Sequence, residues 1–208
     1  MQQEITRVAL DAMGGDNAPG ELVKGAVDAV NGRSDIKVLL VGQQDVVEKE
    51  LKQYSYPKEQ IGVVHAEEVI ETAEPPVNAI RKKKQSSIVV GMNMVKQKEA
   101  DAFVSAGSSG AILVGGQVIV GRIRGIERPP LAPLIPTEKG VSLLIDCGAN
   151  VDARASHLVQ FAKMGSIIWK MFLELRIQEC NCKYWSRRGK GECACKRDIS
   201  IIKRVYRH

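Results

Sequence analysis

Thr6-Arg-Val-Ala-Leu-Asp-Ala-Met-Gly-Gly-Asp16 is the stretch on which the fold turns: a short, mostly apolar run, Thr6–Leu10, that breaks into a glycine turn. Strands of that composition have both faces covered. The same unit recurs down the chain. Ile36–Val41 (Ile-Lys-Val-Leu-Leu-Val) is a strand stopped by Gly42, and Ile61–His65 is a third. Ala102–Ser105 runs into Ala-Gly-Ser-Ser-Gly-Ala, and Val141–Ile145 ends in Asp-Cys-Gly-Ala-Asn. Helical periods lie between them. Pro19–Val30 opens on proline and carries Leu22, Val23, Ala26, Val27 and Val30 at helical spacing. Gln44–Gln53 is a polar helix with Val46, Val47 and Leu51, and Val77–Lys84, Ser87–Lys96, Ala111–Ile123 and Ala155–Met164 follow. Strands alternating with helices predict an α/β fold, a mostly parallel sheet with helices on both faces.

Three strand ends carry unusual turns: Asp11–Asp16, Ser105–Ala111 and Asp146–Asn150. In open α/β sheets, ligands bind beyond the carboxyl ends of the strands. Glycine lets backbone N–H groups approach an anion, and the start of a helix adds partial positive charge. Ser105, Ser108 and Ser109 add hydroxyls, which suits phosphate or a developing oxyanion. The pattern matches neither the lysine-containing P-loop nor the GxGxxG fingerprint. Tight connections without a ligand are the alternative. Arg81-Lys82-Lys83-Lys84 fits a solvated helix face, or a dock for phosphate or an acidic protein. His65 and His157 stand alone and read as structural, and Cys147 reads as a small buried thiol rather than a nucleophile. Arg128–Pro136 is proline-rich but apolar, a rigid crossing segment.

Leu10–Pro19, His65–Ile70, Glu74–Lys83, Ser105–Ala111, Val120–Pro129 and Asp146–Ala153 together resemble, in order, the phosphate acyltransferases of bacterial phospholipid synthesis, the PlsX family. The resemblance runs from residue 5 to about residue 167; Ser109 and Cys147 stand where the family often has threonine and valine. It implies a three-layer α/β sandwich like those of phosphotransacetylases and isopropylmalate dehydrogenases, incomplete in this chain. It implies a reaction in which inorganic phosphate attacks the thioester of a long-chain acyl group on acyl carrier protein. No cofactor or metal is expected. Residues 105, 108 and 109, with Asn150, become the expected catalytic set. Asp11, Gly14, Gly15, Asp16, Asn17, Gly107 and Gly110 become the expected phosphate-binding set, and Arg81 and Lys82 the expected dock for the acidic carrier protein. The family pattern adds a homodimer with peripheral membrane contact.

Composition changes near residue 167. Residues 1–166 carry 19 Lys+Arg against 20 Asp+Glu, whereas residues 167–208 carry 11 against 4, so the net charge of +6 belongs to the tail. Four of the five cysteines lie there too. The near-neutral first part therefore removes the case for a nucleic-acid partner that a basic chain would otherwise make. No run of eighteen apolar residues exists, and the first residues lack a signal-peptide pattern, so a cytoplasmic location is expected.

Residues 168–208 depart from the family. Cys180-Asn-Cys182 and Cys193-Ala-Cys195 amid basic residues suggest a zinc- or nucleic-acid-binding tail, but Cys-x-Cys is not the usual zinc spacing. A shifted reading frame explains more. Synonymous codons for Cys180–Cys195, read one base later, are compatible with Ala-Ile-Val-Asn-Ile-Gly-Ala-Glu-Glu-Glu-Lys-Gly-Asn-Ala-Leu, which resembles the next family motif. Trp169–Glu179 fits a two-base offset in the same way. The chain is thus expected to be an interrupted enzyme, poorly soluble and with little or no activity, because a sheet cut midway exposes apolar edges. A nicotinamide-dependent dehydrogenase of related fold is the remaining alternative.

Overall fold

Apolar strands need cover on both sides, and the first half of the chain supplies it. In the computed structural model, which describes residues 5–138, 140–150 and 152–172, the chain forms two compact units divided at Arg122–Ile123. The first unit opens with β1 (Thr6–Asp11), α1 (Gly20–Gly32), β2 (Ile36–Gly42), α2 (Gln44–Leu51) and β3 (Ile61–His65). It continues with α3 (Pro76–Lys82), α4 (Ser87–Lys96), β4 (Ala102–Val104) and α5 (Ser109–Gly115), the last extended by a π-helical turn over Gly116–Val120. The four strands are parallel in the order β3-β2-β1-β4.

Alternation along β2 divides the core. Val38 and Leu40 meet Val23, Ala26, Val27 and Val30 of α1 and Val47 and Leu51 of α2. Val41 faces the other way, clustering with Ala9 of β1, Met94 of α4 and Ala100. Leu40 is fully buried; burying such a side chain stabilises by roughly 1.5–3 kcal/mol. A third cluster joins Ile80 of α3, Ile88, Val89 and Met92 of α4, and Ala111 of α5. The start of α4 is capped by Ser86, whose buried Oγ accepts from the Val89 N–H and donates to the Lys83 carbonyl. The outer strand β4 is three residues long, and Val104 is half exposed.

The second unit holds β5 (Leu134–Thr137), β6 (Gly140–Leu143) and α6 (Ala155–Phe172). Two expectations change here. The segment expected to cross rigidly is partly a strand, and the strand expected over Val141–Ile145 is not in the parallel sheet. Instead β5 and β6 form an antiparallel pair with Leu134 opposite Leu143 and Pro136 opposite Val141. Two apolar runs so close in sequence pair more readily with each other, and a two-stranded ribbon tolerates proline because its outer edge needs no donor. The expected helix over Ala111–Ile123 also shifts: it begins at Ser109 and its π-helical extension ends at Val120. No helix among the described residues is long and apolar enough to cross a membrane. The cysteine pairs of residues 180–195 and the frame-shifted reading lie outside the described residues.

Candidate active site

Register builds the site. Leu10 of β1 stands opposite Val104 of β4, so the next residues, Asp11 and Ser105, come side by side at the carboxyl end of the sheet. The Ser105 hydroxyl donates to Asp11 Oδ2 at 2.7 Å, and Ser105 Oγ accepts from the Gly107 N–H at 3.0 Å. Asp11 Oδ1 accepts from the Met13 N–H at 3.1 Å. Asp11 is only 1% exposed. These bonds knit the turn after β1 to the turn after β4.

The two turns touch so closely that one position tolerates no side chain. A Cβ on Gly14 would lie 2.4 Å from Asp11 Oδ2 and 2.8 Å from the Gly107 nitrogen. Gly15 follows with φ +103°, a backbone conformation that side chains rarely adopt. Gly15, Asp16 and Asn17 are exposed at the rim. On the other turn, Ser108 is buried and caps α5, its Oγ accepting from the Ala111 N–H at 3.3 Å. Its hydroxyl proton is uncommitted by that bond. Ser109 is exposed in the first turn of α5, and Gly110 lies against Pro76, whose Cγ would be 2.6 Å from an added Cβ. The start of α3 therefore buttresses the start of α5.

The position in the sheet matters as much as the contacts. From β1 the chain runs outward through β2 and β3, then crosses back to add β4 on the other side of β1. The β1/β4 boundary is the topological switch point, where the two connections diverge. The Asp11 and Ser105 turns flank it.

The third expected turn has a local role. It lies in the second unit, where Asp146 Oδ1 accepts from the Leu131 N–H and Oδ2 from the Asn150 N–H. Asn150 Nδ2 donates to the Pro129 carbonyl at 3.1 Å. The turn is thus tied to Pro129–Leu131 by its own polar groups.

Arg81 and Lys82 are exposed in the last turn of α3. Lys83 is not part of a solvated run, as the sequence pattern suggested. Its Nζ donates to the Val69 carbonyl and to Glu74 Oε1. The Lys83 ammonium and the Glu71 N–H together hold the Glu74 carboxyl below its ordinary range. No spacing signal betrays this pair, because its partners sit beyond opposite ends of α3. His65 Nδ1 accepts from the Gln44 N–H and so closes the start of α2. His157 is buried; its Nδ1 accepts from the Arg154 N–H, which leaves Nε2 to donate to Glu127 Oε2 at 2.9 Å. Each histidine thus has a local hydrogen-bond partner. Cys147 corrects an expectation: its thiol is exposed, because the residue rides the outside of the Asp146 turn while its N–H donates to the Leu131 carbonyl. No group of His, Cys, Asp or Glu among the described residues is arranged to hold a metal ion.

An α/β fold with paired glycine turns at its switch point places the molecule in a known structural class. A phosphotransacetylase from Streptococcus pyogenes superposes with TM-score 0.60 at 18% identity, over 81% of this chain and 54% of its own. At that identity the likeness is one of fold. The sequence is more specific: residues 6–177 match the Fatty acid synthesis protein family, and the chain belongs to it. The match runs past Ile167, where composition placed the boundary. A phosphate acyltransferase of Alkaliphilus oremlandii (strain OhILAs) is 51% identical over 170 residues, 82% of this chain and 50% of the relative. One from Clostridium beijerinckii is 49% identical over 170 residues, again 82% of this chain and 51% of the relative. The chain spans about half the length of the curated relatives it matches.

Proposed function

We propose that this chain carries the phosphate-holding part of a phosphate acyltransferase acting in fatty acid and phospholipid synthesis. A phosphate oxygen attacks the thioester carbonyl of a long-chain acyl group on acyl carrier protein. The new C–O bond forms, the C–S bond breaks, and the carrier thiolate leaves and takes up a proton. The products are acyl phosphate and free carrier. One observation carries the reading: the interlocked turns at Asp11–Asn17 and Ser105–Gly110 meet at the switch point of the sheet.

The chemistry asks little beyond placement. Phosphate is already anionic and needs positioning more than activation. The carbonyl oxygen gains charge in the transition state and needs fixed donors. In this reading the Ser108 hydroxyl, Ser109 and the Gly110 N–H serve those needs, with Gly15, Asp16 and Asn17 on the facing rim. Asn150 is assigned as a polar partner on the basis of the resemblance. Arg81 and Lys82 form the dock for the acidic carrier. Homodimerisation, cytoplasmic location and peripheral membrane contact belong to the same proposal and rest on the resemblance.

We further propose that residues 168–208 are read out of frame and that the 208-residue product has little or no activity. Sequencing the encoding DNA across codons 160–185 tests the frame; a clean frame for this tail in independent isolates would sink it. Activity is tested by trapping acyl phosphate as the hydroxamate, from purified acyl carrier thioester and phosphate. The frame-restored protein should form it and the 208-residue chain should not. A frame-restored protein that releases carrier thiol only by hydrolysis would remove the transferase reading.

A further inference from the structure

Asp11 is the one buried carboxylate among the described residues of the first unit, and it lies under a turn proposed to hold an anion. A carboxylate in contact with phosphate repels it unless a proton lies between them. The geometry gives Asp11 a different task. Both its oxygens are occupied from within, Oδ1 by the Met13 N–H and Oδ2 by the Ser105 hydroxyl. A serine hydroxyl has one proton and two lone pairs. At Ser105 the proton is committed to Asp11, and one lone pair accepts the Gly107 N–H. What Ser105 has left is an acceptor. Ser105 remains partly exposed, while Gly14 lets the main chain lie over the carboxylate without a side chain between.

We propose that Asp11 is a positioning residue that fixes Ser105 as a hydrogen-bond acceptor, so that the site selects a protonated oxyanion. Inorganic phosphate near pH 7 carries at least one P–OH, which donates to Ser105 Oγ. Sulfate, of the same shape and charge, carries no proton and meets only a lone pair. The inference rests on the phosphate reading above and adds to it the basis for discrimination.

The test is isothermal titration of the 208-residue chain with inorganic phosphate and, separately, with sulfate near pH 7. Phosphate should bind about tenfold tighter or better, the effect of one hydrogen bond gained and one lone-pair repulsion avoided. In Asp11→Asn the side-chain amide can donate to Ser105, which frees the hydroxyl proton to turn outward. The preference for phosphate should then collapse, through tighter sulfate binding as much as weaker phosphate binding. Ser105→Ala should abolish it as well, the double variant should go no further, and Ser105→Thr should keep it. A merely structural Asp11 would lower the melting temperature and leave the phosphate-to-sulfate ratio alone; that result in a folded Asp11→Asn chain overturns the proposal. Should Asp11→Asn not fold, an unchanged ratio in Ser105→Ala does the same.

A second readout needs no ligand. Hydrogen exchange at the Gly107 amide should be slow in the unmodified chain and faster by about tenfold in both Asp11→Ala, which releases the Ser105 hydroxyl to rotate, and Ser105→Ala, which removes the acceptor. Should the unmodified chain bind neither anion, the phosphate reading and the selectivity built on it fail together. The positioning of Ser105 by Asp11 is then decided by this amide: exchange unaffected by Asp11→Ala overturns it.

Discussion

Replacing Gly14 by alanine tests the interlock of the two turns with a single methyl group. The added Cβ would stand 2.4 Å from Asp11 Oδ2 and 2.8 Å from the Gly107 nitrogen, where ordinary contact begins at 3.4 Å. Neither neighbour is the far end of a flexible side chain. Asp11 is held by two hydrogen bonds and is 1% exposed, and the Gly107 nitrogen is backbone donating to Ser105. Overpacking of a rigid site costs about 1–3 kcal/mol, and displacing a buried carboxylate from its donor adds about 1–2 kcal/mol. The expected loss is about 3 kcal/mol, which lowers a urea midpoint by about 1–3 M at ordinary slopes. The assay is urea unfolding followed by far-ultraviolet circular dichroism. Gly25→Ala is the control: it is exposed in α1 with nothing within 4 Å of an added Cβ, so the better helix propensity should stabilise by about 0.5–1 kcal/mol. If Gly14→Ala unfolds at the same urea concentration as the unmodified chain while Gly25→Ala shifts upward, the two turns are not interlocked and the site has been misassembled.

Three further outcomes follow from the same geometry. Ser86→Ala removes the cap of α4, leaving the Val89 N–H without its side-chain acceptor and the Lys83 carbonyl with only the backbone N–H of residue 86; calorimetry should register a loss of about 1–2 kcal/mol. The Glu74 carboxyl is held low by Lys83 and the Glu71 N–H, so the folded chain binds fewer protons there than the unfolded chain. That contribution is complete above the ordinary glutamate value of 4.5 and fades as pH falls through the lowered one. Melting temperature should therefore drop on acidification below that value, and the drop should be shallower in Glu74→Gln; an identical acid limb in the two proteins would refute the pairing. Native alkylation followed by peptide mass mapping should modify Cys147 without denaturant, since its thiol is exposed; protection until unfolding would contradict the placement of the Asp146 turn.

What could be foreseen from sequence was local. The strands of the first unit stand out because covered strands are continuous apolar runs, and α4 falls on its expected bounds, Ser87–Lys96, because a serine cap precedes a helical period. The start of α5 was hidden, since Ser109 and Gly110 have turn chemistry and sit in a helix only because Ser108 caps it. The β5–β6 pair was hidden by Pro133 and Pro136, which read as a stiff connection. Asp11 and Ser105 were each singled out by the sequence, but their bond was not. It depends on β4 joining β1 rather than β3, which is a fact of topology that composition does not carry. Lys83 was lost in a run of four basic residues although its neighbours Arg81 and Lys82 are exposed and it is not.

The bond between Ser105 and Asp11 joins residues 94 positions apart. During synthesis at about 5–20 residues per second, Asp11 leaves the peptidyl transferase centre roughly 5–20 s before Ser105 is added. In that interval β1, β2 and β3 can pair, because each lies within one crossover of the next. The β1 edge that β4 will occupy stays open, with a carboxylate at its tip that remains hydrated until its serine arrives. The site is therefore the last part of this sheet to close, and a chain stopped before residue 105 lacks half of it.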